Sequence, residues 1–137
     1  MCSIVSISAD ETLPLRKKVL WPDLELADLA LPEDATALHL GLFLGDTLIG
    51  VGSFFPDGKR YRLRKLAVDQ ASQGKGYGAR LVKEGMKRLG AQGINELYCD
   101  VRVTATSFYQ RLGFEVFGEE FDKNGVMYRK ATRQLVP

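Results

Sequence analysis

Residues 68–81 read VDQASQGKGYGARL, with three glycines at alternate positions between two apolar ends. The pattern predicts the end of a strand, a short polar turn and the first turn of a helix. Because glycine has no Cβ, Gly74, Gly76 and Gly78 allow successive N–H groups to turn toward one anion at the positive end of that helix. We therefore predict a phosphate-binding loop at this point of the chain.

Other known glycine-rich loops fit these residues less well. A P-loop is excluded because Lys75 is followed by Gly76 and not by Ser or Thr. Gly74, Gly76 and Ala79 match a dinucleotide fingerprint by letter, but residues 69–73 stand between the strand and its first glycine. Only one more strand–helix unit follows, too little for a doubly wound sheet. A nucleotide-binding redox fragment and a ligand-free surface turn remain the alternatives.

A second motif lies farther along the chain, where residues 105–114 read ATSFYQRLGF. This segment resembles the A-x-x-F-Y-x-x-x-G-F motif of the GNAT N-acetyltransferases, and residues 73–78 resemble that family's Q/R-x-x-G-x-G/A motif. The resemblance implies the GNAT fold over residues 1–137. This is an α/β (α+β) domain with a mixed, mostly antiparallel central sheet, in which one parallel pair of strands splays at the cofactor site.

The same resemblance implies the ligands and their contacts. Acetyl-CoA is the expected cosubstrate, and a primary amine of a small molecule or peptide is the expected acceptor. The cofactor-binding residues it implies are Leu66, Ala67, Val68, Gln73, Gly74, Lys75, Gly76, Tyr77, Gly78, Ala79 and Arg102. Arg102 stands where the family often has an Asn that touches the cofactor arm, so it could instead reach a phosphate or a carboxylate.

Tyr109 is the expected catalytic residue within the second motif. A phenol with a pKa near ~10 is protonated at neutral pH and can donate its proton to a leaving thiolate of pKa near ~8.5. The alternative is an aromatic side chain that packs beside Phe108. The sequence does not identify the general base. Several members of the family that this chain resembles use a Glu on the strand at residues 61–68, and here those residues contain no acid. A water relay, Asp100 or His39 are the candidates, and a catalytically weak acyl-CoA-binding module is the alternative function.

The strand predicted over residues 60–68 has an irregular pattern. Leu63 and Leu66 are out of phase with strict alternation, whereas Leu66 and Val68 are in phase. A slip of one residue is what a β-bulge produces, and a bulge leaves backbone groups unpaired. The family resemblance implies that such groups bind pantetheine, and that an N–H around Leu66 or Ala67 meets the oxyanion. A merely twisted edge is the alternative.

The rest of the chain predicts short elements. We expect a strand at residues 4–7, a helix capped by Asp10 that stops before Pro22, and a loop with one helical turn at 23–36. Hairpins are expected across Gly45-Asp46 and across residues 122–125, with a turn at 56–58. Residues 15–22, LRKKVLWP, also resemble the opening of small bacterial GNAT proteins, which implies that Trp21 and the 23–36 loop contact the acceptor.

Composition limits the partners. A chain of 137 residues forms one domain, and its net charge of +2 without a run of basic residues argues against nucleic acid as an obligatory partner. Cys2 and Cys99 are too few for a disulfide framework or a metal site, and Cys99 is expected in the core rather than as an acylated nucleophile. No stretch approaches a membrane span, so we expect a cytoplasmic protein without a membrane partner. Exposed end strands make a homodimer plausible.

Overall fold

The computed structural model describes residues 2–135, which form one mixed sheet of seven strands with helices packed on it. The strands are β1 (Cys2–Ser6), β2 (Leu38–Leu44), β3 (Thr47–Asp57), β4 (Arg60–Val68), β5 (Glu96–Arg102), β6 (Glu115–Lys123) and β7 (Val126–Gln134). The α-helices are α1 (Ala9–Leu15), α2 (Leu26–Leu29), α3 (Tyr77–Ala91) and α4 (Thr106–Arg111). The strand order across the sheet is β1-β2-β3-β4-β5-β7-β6.

The parallel pair at the centre of the sheet is formed by β4 and β5. The other neighbouring strands are antiparallel, which confirms the expected mixed, mostly antiparallel sheet. Parallel pairing joins Arg60–Arg62 to Glu96–Tyr98, and the register within residues 2–135 contains no further β4–β5 pair. Helix α3 provides the crossover that parallel strands require. The two strands therefore separate toward the glycine-rich loop, as the family resemblance implied.

The predicted bulge is present in β4. Val51 of β3 pairs with Ala67, but Ser53 pairs with Arg64, so Lys65 and Leu66 together face Gly52. Lys65 has a φ of 60°, in the left-handed region that non-glycine residues rarely adopt. The extra residue explains why Leu63 and Leu66 depart from strict alternation.

Helix α3 covers one face of the sheet with its apolar side. Leu81, Val82 and Leu89 are fully buried, and their spacing places them on one side of the helix. Burying a Leu or Val side chain contributes about 1.5–3 kcal/mol, so this face anchors α3 and the loop that precedes it. The ring of Phe54 lies directly against Gly85, where a side chain would collide with it.

The N-terminal helix differs from the prediction. Ser8, not Asp10, is the N-cap, since its Oγ accepts a hydrogen bond from Glu11 N and the Glu11 carboxylate accepts one from Ser8 N. This reciprocal capping box satisfies two free donors, which Asp10 inside the first turn cannot do. After α1 the chain continues as a π-helical segment, Arg16–Leu20. This helical segment ends before Pro22, as expected.

Other boundaries also needed correction. The 23–36 segment contains α2 and a 3₁₀ turn, Pro32–Thr36, rather than a single helical turn. Strand β3 extends through Pro56 to Asp57, beyond the expected turn. Strand β2 begins at Leu38, opposite Phe54, so no strand lies beside Pro56 on that side to need its missing N–H. The last hairpin turns at Asn124 and Gly125 alone, since both adopt the positive φ that a tight hairpin turn needs.

Candidate active site

A cavity of about 770 Å³ lies beside the glycine-rich loop, between the end of β4, the start of α3 and α4. We call it the loop cavity and define it by its wall at residues 72–79. The predicted site residues in its lining are Leu66, Ala67, Val68, Gln73, Gly74, Gly76, Tyr77, Gly78, Ala79 and Tyr109. The lining does not include Lys75 or Arg102, so the structure brings together most of the predicted set but not these two.

The loop presents backbone donors to this cavity. Gly74 and Gly76 have φ values of 79° and 83°, and Gly76 is the N-cap of α3. No side chain within residues 2–135 caps that helix, so its first N–H groups are available to an anion at its positive end. Gln73 Nε2 donates a hydrogen bond to Val68 O at 2.9 Å, which fixes the loop against the strand.

The splayed edge of β4 forms the adjoining wall. Ala67 and Val68 pair with β3 on one side, whereas on the other side pairing with β5 has already stopped at Arg62. An extended ligand can add to such an open edge through backbone hydrogen bonds. The loop cavity therefore combines an anion site with an edge that can hold an amide-containing arm.

A second cavity, of about 290 Å³, lies on the other side of the splay. We call it the basic cavity because basic side chains dominate its charged lining. Its lining comprises Leu20, Trp21, Arg62, Leu63, Arg64, Lys65, Leu66, Asp100, Val101, Arg102, Ala105, Tyr109, Lys123 and Tyr128. Leu66, Ala105 and Tyr109 belong to both linings, so the two cavities meet at these residues.

Tyr109 is held at this junction by aromatic packing. Its ring makes edge-to-face contacts with Phe108 and Phe114, at centroid distances of 4.9 and 5.5 Å. Burial, with a smaller contribution from the charge of Cys99, raises the pKa of Tyr109 above that of a free phenol. The side chain therefore carries its proton at neutral pH, as a general acid must. Both sequence interpretations apply to this residue, since it packs in the core and also borders both cavities.

Two other titratable residues lie outside both linings. Cys99 is 2% exposed, and burial raises the pKa of its thiol to about 12, so it is a poor nucleophile. His39 is buried, with Nε2 2.8 Å from Asp34 O and Nδ1 2.8 Å from Ser53 Oγ. Because a carbonyl oxygen only accepts, Nε2 donates there, which gives His39 a structural role.

Asp100 is the remaining side-chain candidate for a base, and it borders the basic cavity. Its carboxylate is contacted by Arg62 at 2.9 Å, by Lys123 at 3.2 Å and by Lys130 at 3.7 Å. These contacts occupy the oxygens that a base would use.

Sequence reasoning did not single out several lining residues. Ser72, Lys83 and Arg111 border the loop cavity, and Lys83 and Arg111 add positive charge there. Arg111 lies within the second motif, and Lys83 lies on α3 after the glycines, so proximity to the motifs was the available signal. Trp21, for which an acceptor contact was expected, borders the basic cavity with 43% of its surface exposed, and its role stays a prediction.

The described residues offer neither a metal site nor a membrane-spanning helix. Among residues 2–135 there is no group of three or more His, Cys, Asp or Glu side chains that could hold a metal ion. No helix in that range is long and apolar enough to cross a membrane.

The family model described as the acetyltransferase (GNAT) domain matches residues 25–132. The chain belongs to the GNAT acetyltransferase family. A curated relative, the uncharacterized N-acetyltransferase YitI of Bacillus subtilis (strain 168), is 29% identical over 135 residues, which is 92% of this chain and 91% of YitI. Membership makes this GNAT protein an acyltransferase enzyme, and the family uses acyl-CoA.

Solved structures have the same fold. The ribosomal-protein-S18-alanine N-acetyltransferase of Escherichia coli superposes with a TM-score of 0.84 at 17% identity, over 100% of this chain and 96% of that one. An aminoglycoside 6'-N-acetyltransferase complexed with coenzyme A gives a TM-score of 0.78 at 16% identity, over 98% of each chain. The expected GNAT fold is thereby confirmed.

Proposed function

We propose that this GNAT protein transfers an acetyl group from acetyl-CoA to a primary amine by direct attack in a ternary complex. The observation that carries the proposal is the junction of the loop cavity with the basic cavity at Leu66, Ala105 and Tyr109. A donor on one side and an acceptor on the other would meet at Tyr109. Holding both reactants in this way supplies much of the rate without a covalent intermediate.

The loop cavity fits the parts of coenzyme A. Its phosphates are expected at Gly74–Gly78, where the start of α3 presents free N–H groups. The amides of pantetheine would pair with the open edge of β4. Lys83 and Arg111 can add charge contacts to the phosphates. The structural relative complexed with coenzyme A supports this assignment by its fold alone.

The reaction needs one proton to leave the amine and one to reach the thiolate. The amine nitrogen attacks the thioester carbonyl, a C–N bond forms, and the C–S bond breaks. A backbone N–H near Leu66 or Ala67 would stabilise the oxyanion. The attacking nitrogen would lose its proton to water, Tyr109 would donate its proton to the sulfur, and solvent would return a proton to the phenolate.

A second candidate function is a binding module of the same fold that holds an acyl-CoA without turnover. Residues 61–68 contain no acid, and Asp100 is occupied by cations, which favours this alternative. The expected homodimer, the absence of nucleic acid and membrane partners, and the cytoplasmic location stay predictions.

The test is thiol release from acetyl-CoA across amino acids, small amines, polyamines and peptide N-termini. We expect acceptor-dependent release, and initial rates that vary with both substrates as intersecting lines, because both must be bound at once. Parallel lines would indicate an acyl-enzyme and contradict direct attack. Cys99→Ala should retain activity, since Cys99 lines neither cavity. Coenzyme A binding without release for any acceptor would favour the binding module.

A further inference from the structure

The basic cavity has an excess of positive charge. Arg62, Arg64, Lys65, Arg102 and Lys123 are its basic lining residues. Among the described residues of that lining, Asp100 is the one carboxylate. A cavity with this balance attracts anions and repels polycations.

Pairing leaves two of these cations without an acidic partner. Arg62 and Lys123 share Asp100, at 2.9 and 3.2 Å, and Arg64 lies 3.4 Å from Glu33 at the surface. Lys65 and Arg102 form no ion pair with any residue between 2 and 135. Arg62 and Lys123 also share the single charge of Asp100, so the cavity keeps a net positive charge. Within the described residues, Lys65 and Arg102 are its two cations without any acidic contact.

Lys65 is held in the cavity by the bulge of β4. Its φ of 60° is a conformation that few side chains adopt, and such strain is concentrated at functional sites. Its side chain is half-buried, and burial, followed by the charges of Arg64, Arg16, Lys123 and Arg62, lowers the pKa of its ammonium. A bound anion would offset this repulsion.

We propose that the acceptor is a primary amine that also carries a carboxylate or a phosphate, and that Lys65 and Arg102 bind this anionic group. The inference rests on the proposed function, because it assumes that the basic cavity holds the acceptor. Leu20, Trp21 and Tyr128 supply an apolar wall for the rest of the molecule. Polyamines and other polycationic amines are poor substrates, since they would add charge of the same sign.

The same cations assist the chemistry. Neighbouring positive charges disfavour the protonated form of an amine and so lower its pKa. An acceptor whose anionic end is fixed by Lys65 and Arg102 places its amino group in this positive surrounding. The amine then reaches its neutral, nucleophilic form without a strong general base, which accounts for the lack of an acid in residues 61–68.

The test uses pairs of amines in which one member carries an anionic group and the other lacks it, with acetyl-CoA as donor. β-Alanine is compared with β-alaninamide, and phosphoethanolamine with ethanolamine, while spermidine represents polycations. We expect kcat/KM to be higher by about tenfold or more for the anionic member of at least one pair, the size of one charge-assisted hydrogen bond. The pair that responds distinguishes a carboxylate from a phosphate.

Variants identify the residues that bind the anion. Lys65→Met and Arg102→Met should raise KM for the anionic acceptor by about tenfold and change KM for its neutral partner far less. Lys59→Met makes the same change of net charge at an exposed turn outside the cavity, and should leave both unchanged. An Arg102→Met protein with a raised KM for acetyl-CoA instead would assign Arg102 to the cofactor and overturn its part of the proposal.

Acceptor binding to the protein loaded with coenzyme A, followed by NMR, separates this inference from the proposed function. Anionic amines that bind at Lys65 without being acetylated would support the inference and overturn the proposed catalysis. Equal turnover of anionic and neutral partners would support the catalysis and overturn the inference. If no amine of the panel binds or reacts, both are overturned.

Discussion

At the scale of single residues, the position of Tyr109 is set by packing and its chemistry by burial. Phe108 and Phe114 contact the ring edge-to-face, and the residue lines both cavities. The raised pKa of Tyr109 keeps the hydroxyl protonated at neutral pH and makes it a weaker acid than a free phenol, so it would give up its proton only as negative charge develops on the departing sulfur beside it.

We expect Tyr109→Phe to lower kcat by about 10²–10⁴-fold, the usual contribution of a general acid, and to leave KM for acetyl-CoA nearly unchanged. The thermal stability should change little, because phenylalanine keeps both edge-to-face contacts. Since the pKa of Tyr109 is raised, wild-type activity should show no alkaline loss at the pH where a free phenol ionises.

The matched control is Tyr98→Phe, which removes a phenol that donates to Asp57 at 2.7 Å and lines neither cavity. Steady-state kinetics of both variants from pH 6 to pH 10 would test the assignment. Full turnover in Tyr109→Phe would remove the residue from the mechanism.

At the scale of elements, the attachment of α3 to the sheet decides where the glycine-rich loop lies. Gly85 faces the ring of Phe54, and an added Cβ would lie 2.2 Å from Phe54 Cζ. Phe54 itself is fully buried, so its ring has no free space into which it can move.

Gly85→Ala should therefore destabilise the protein although alanine is the better helix former. The propensity gain is about 1 kcal/mol, whereas overpacking a filled core costs about 1–3 kcal/mol and more where backbone must shift. Gly90→Ala, on the same helix, is the control, since its nearest atom would be Leu135 O at 4.0 Å. Urea unfolding should show a loss for Gly85→Ala and no loss for Gly90→Ala, and the reverse order would contradict this packing.

The N-terminal segment is tied to the sheet by a buried ion pair. Arg16 is fully buried at the start of the π-helical segment, and its guanidinium donates to both carboxylate oxygens of Asp34, at 2.8 and 3.0 Å, and to Ser53 Oγ. This segment leads to Leu20 and Trp21 in the wall of the basic cavity. The ion pair thus fixes one wall of that cavity.

Asp34→Asn should cost about 3–5 kcal/mol of unfolding free energy, because it leaves the charge of Arg16 buried and unpaired. Burial alone would raise the pKa of Asp34, but hydrogen bonds from Arg16 and Leu31 N and the nearby positive charge lower it below 3.8. A carboxyl with a lowered pKa stabilises the fold fully above its unfolded pKa, and this contribution is lost as the pH falls through the folded pKa.

Chemical denaturation between pH 2 and pH 7 provides the measurement. The wild type should lose stability below pH 4 more steeply than Asp34→Asn, which has already lost this contribution. Lys18→Met breaks an exposed pair with Asp69 and should cost less than about 1 kcal/mol. A loss in Asp34→Asn no larger than that of this control would show that the pair is not stabilising.

The same elements show how far sequence reasoning reaches. The glycine-rich loop, the bulge of β4 and the first hairpin were predicted because each depends on adjacent residues. The burial of Arg16 was not predicted, because a basic residue next to Lys17 and Lys18 has the pattern of a solvent-exposed face. Its partners Asp34 and Ser53 are distant in sequence, and only the tertiary fold brings them together. The shared position of Tyr109 between two cavities is likewise a property of the folded chain.

At the scale of the whole molecule, the sheet has two parts that meet along a short parallel contact. Pairing of β4 with β5 is confined to one end, and the other end opens into the two cavities. The loop cavity is lined on one side by Leu66, Ala67 and Val68 of β4, and on the other by Phe108 and Tyr109 of α4, the helix that follows β5. A ligand in the loop cavity would therefore contact both parts at once.

Coenzyme A should accordingly stabilise the whole protein. Present at 100 times its dissociation constant, a ligand that binds only the folded state adds about 2.7 kcal/mol, which raises Tm by several degrees in a domain of this size. Amide hydrogen exchange should slow at Leu66–Val68 and at Gly74–Gly78, where we place its arm and its phosphates. NAD at the same concentration should change neither quantity, because the loop begins too far after β4 to form a dinucleotide site. Protection by NAD without protection by coenzyme A would favour a dinucleotide site at the glycine-rich loop. Protection by coenzyme A at both β4 and the loop would support a coenzyme A site that spans the opening between β4 and β5.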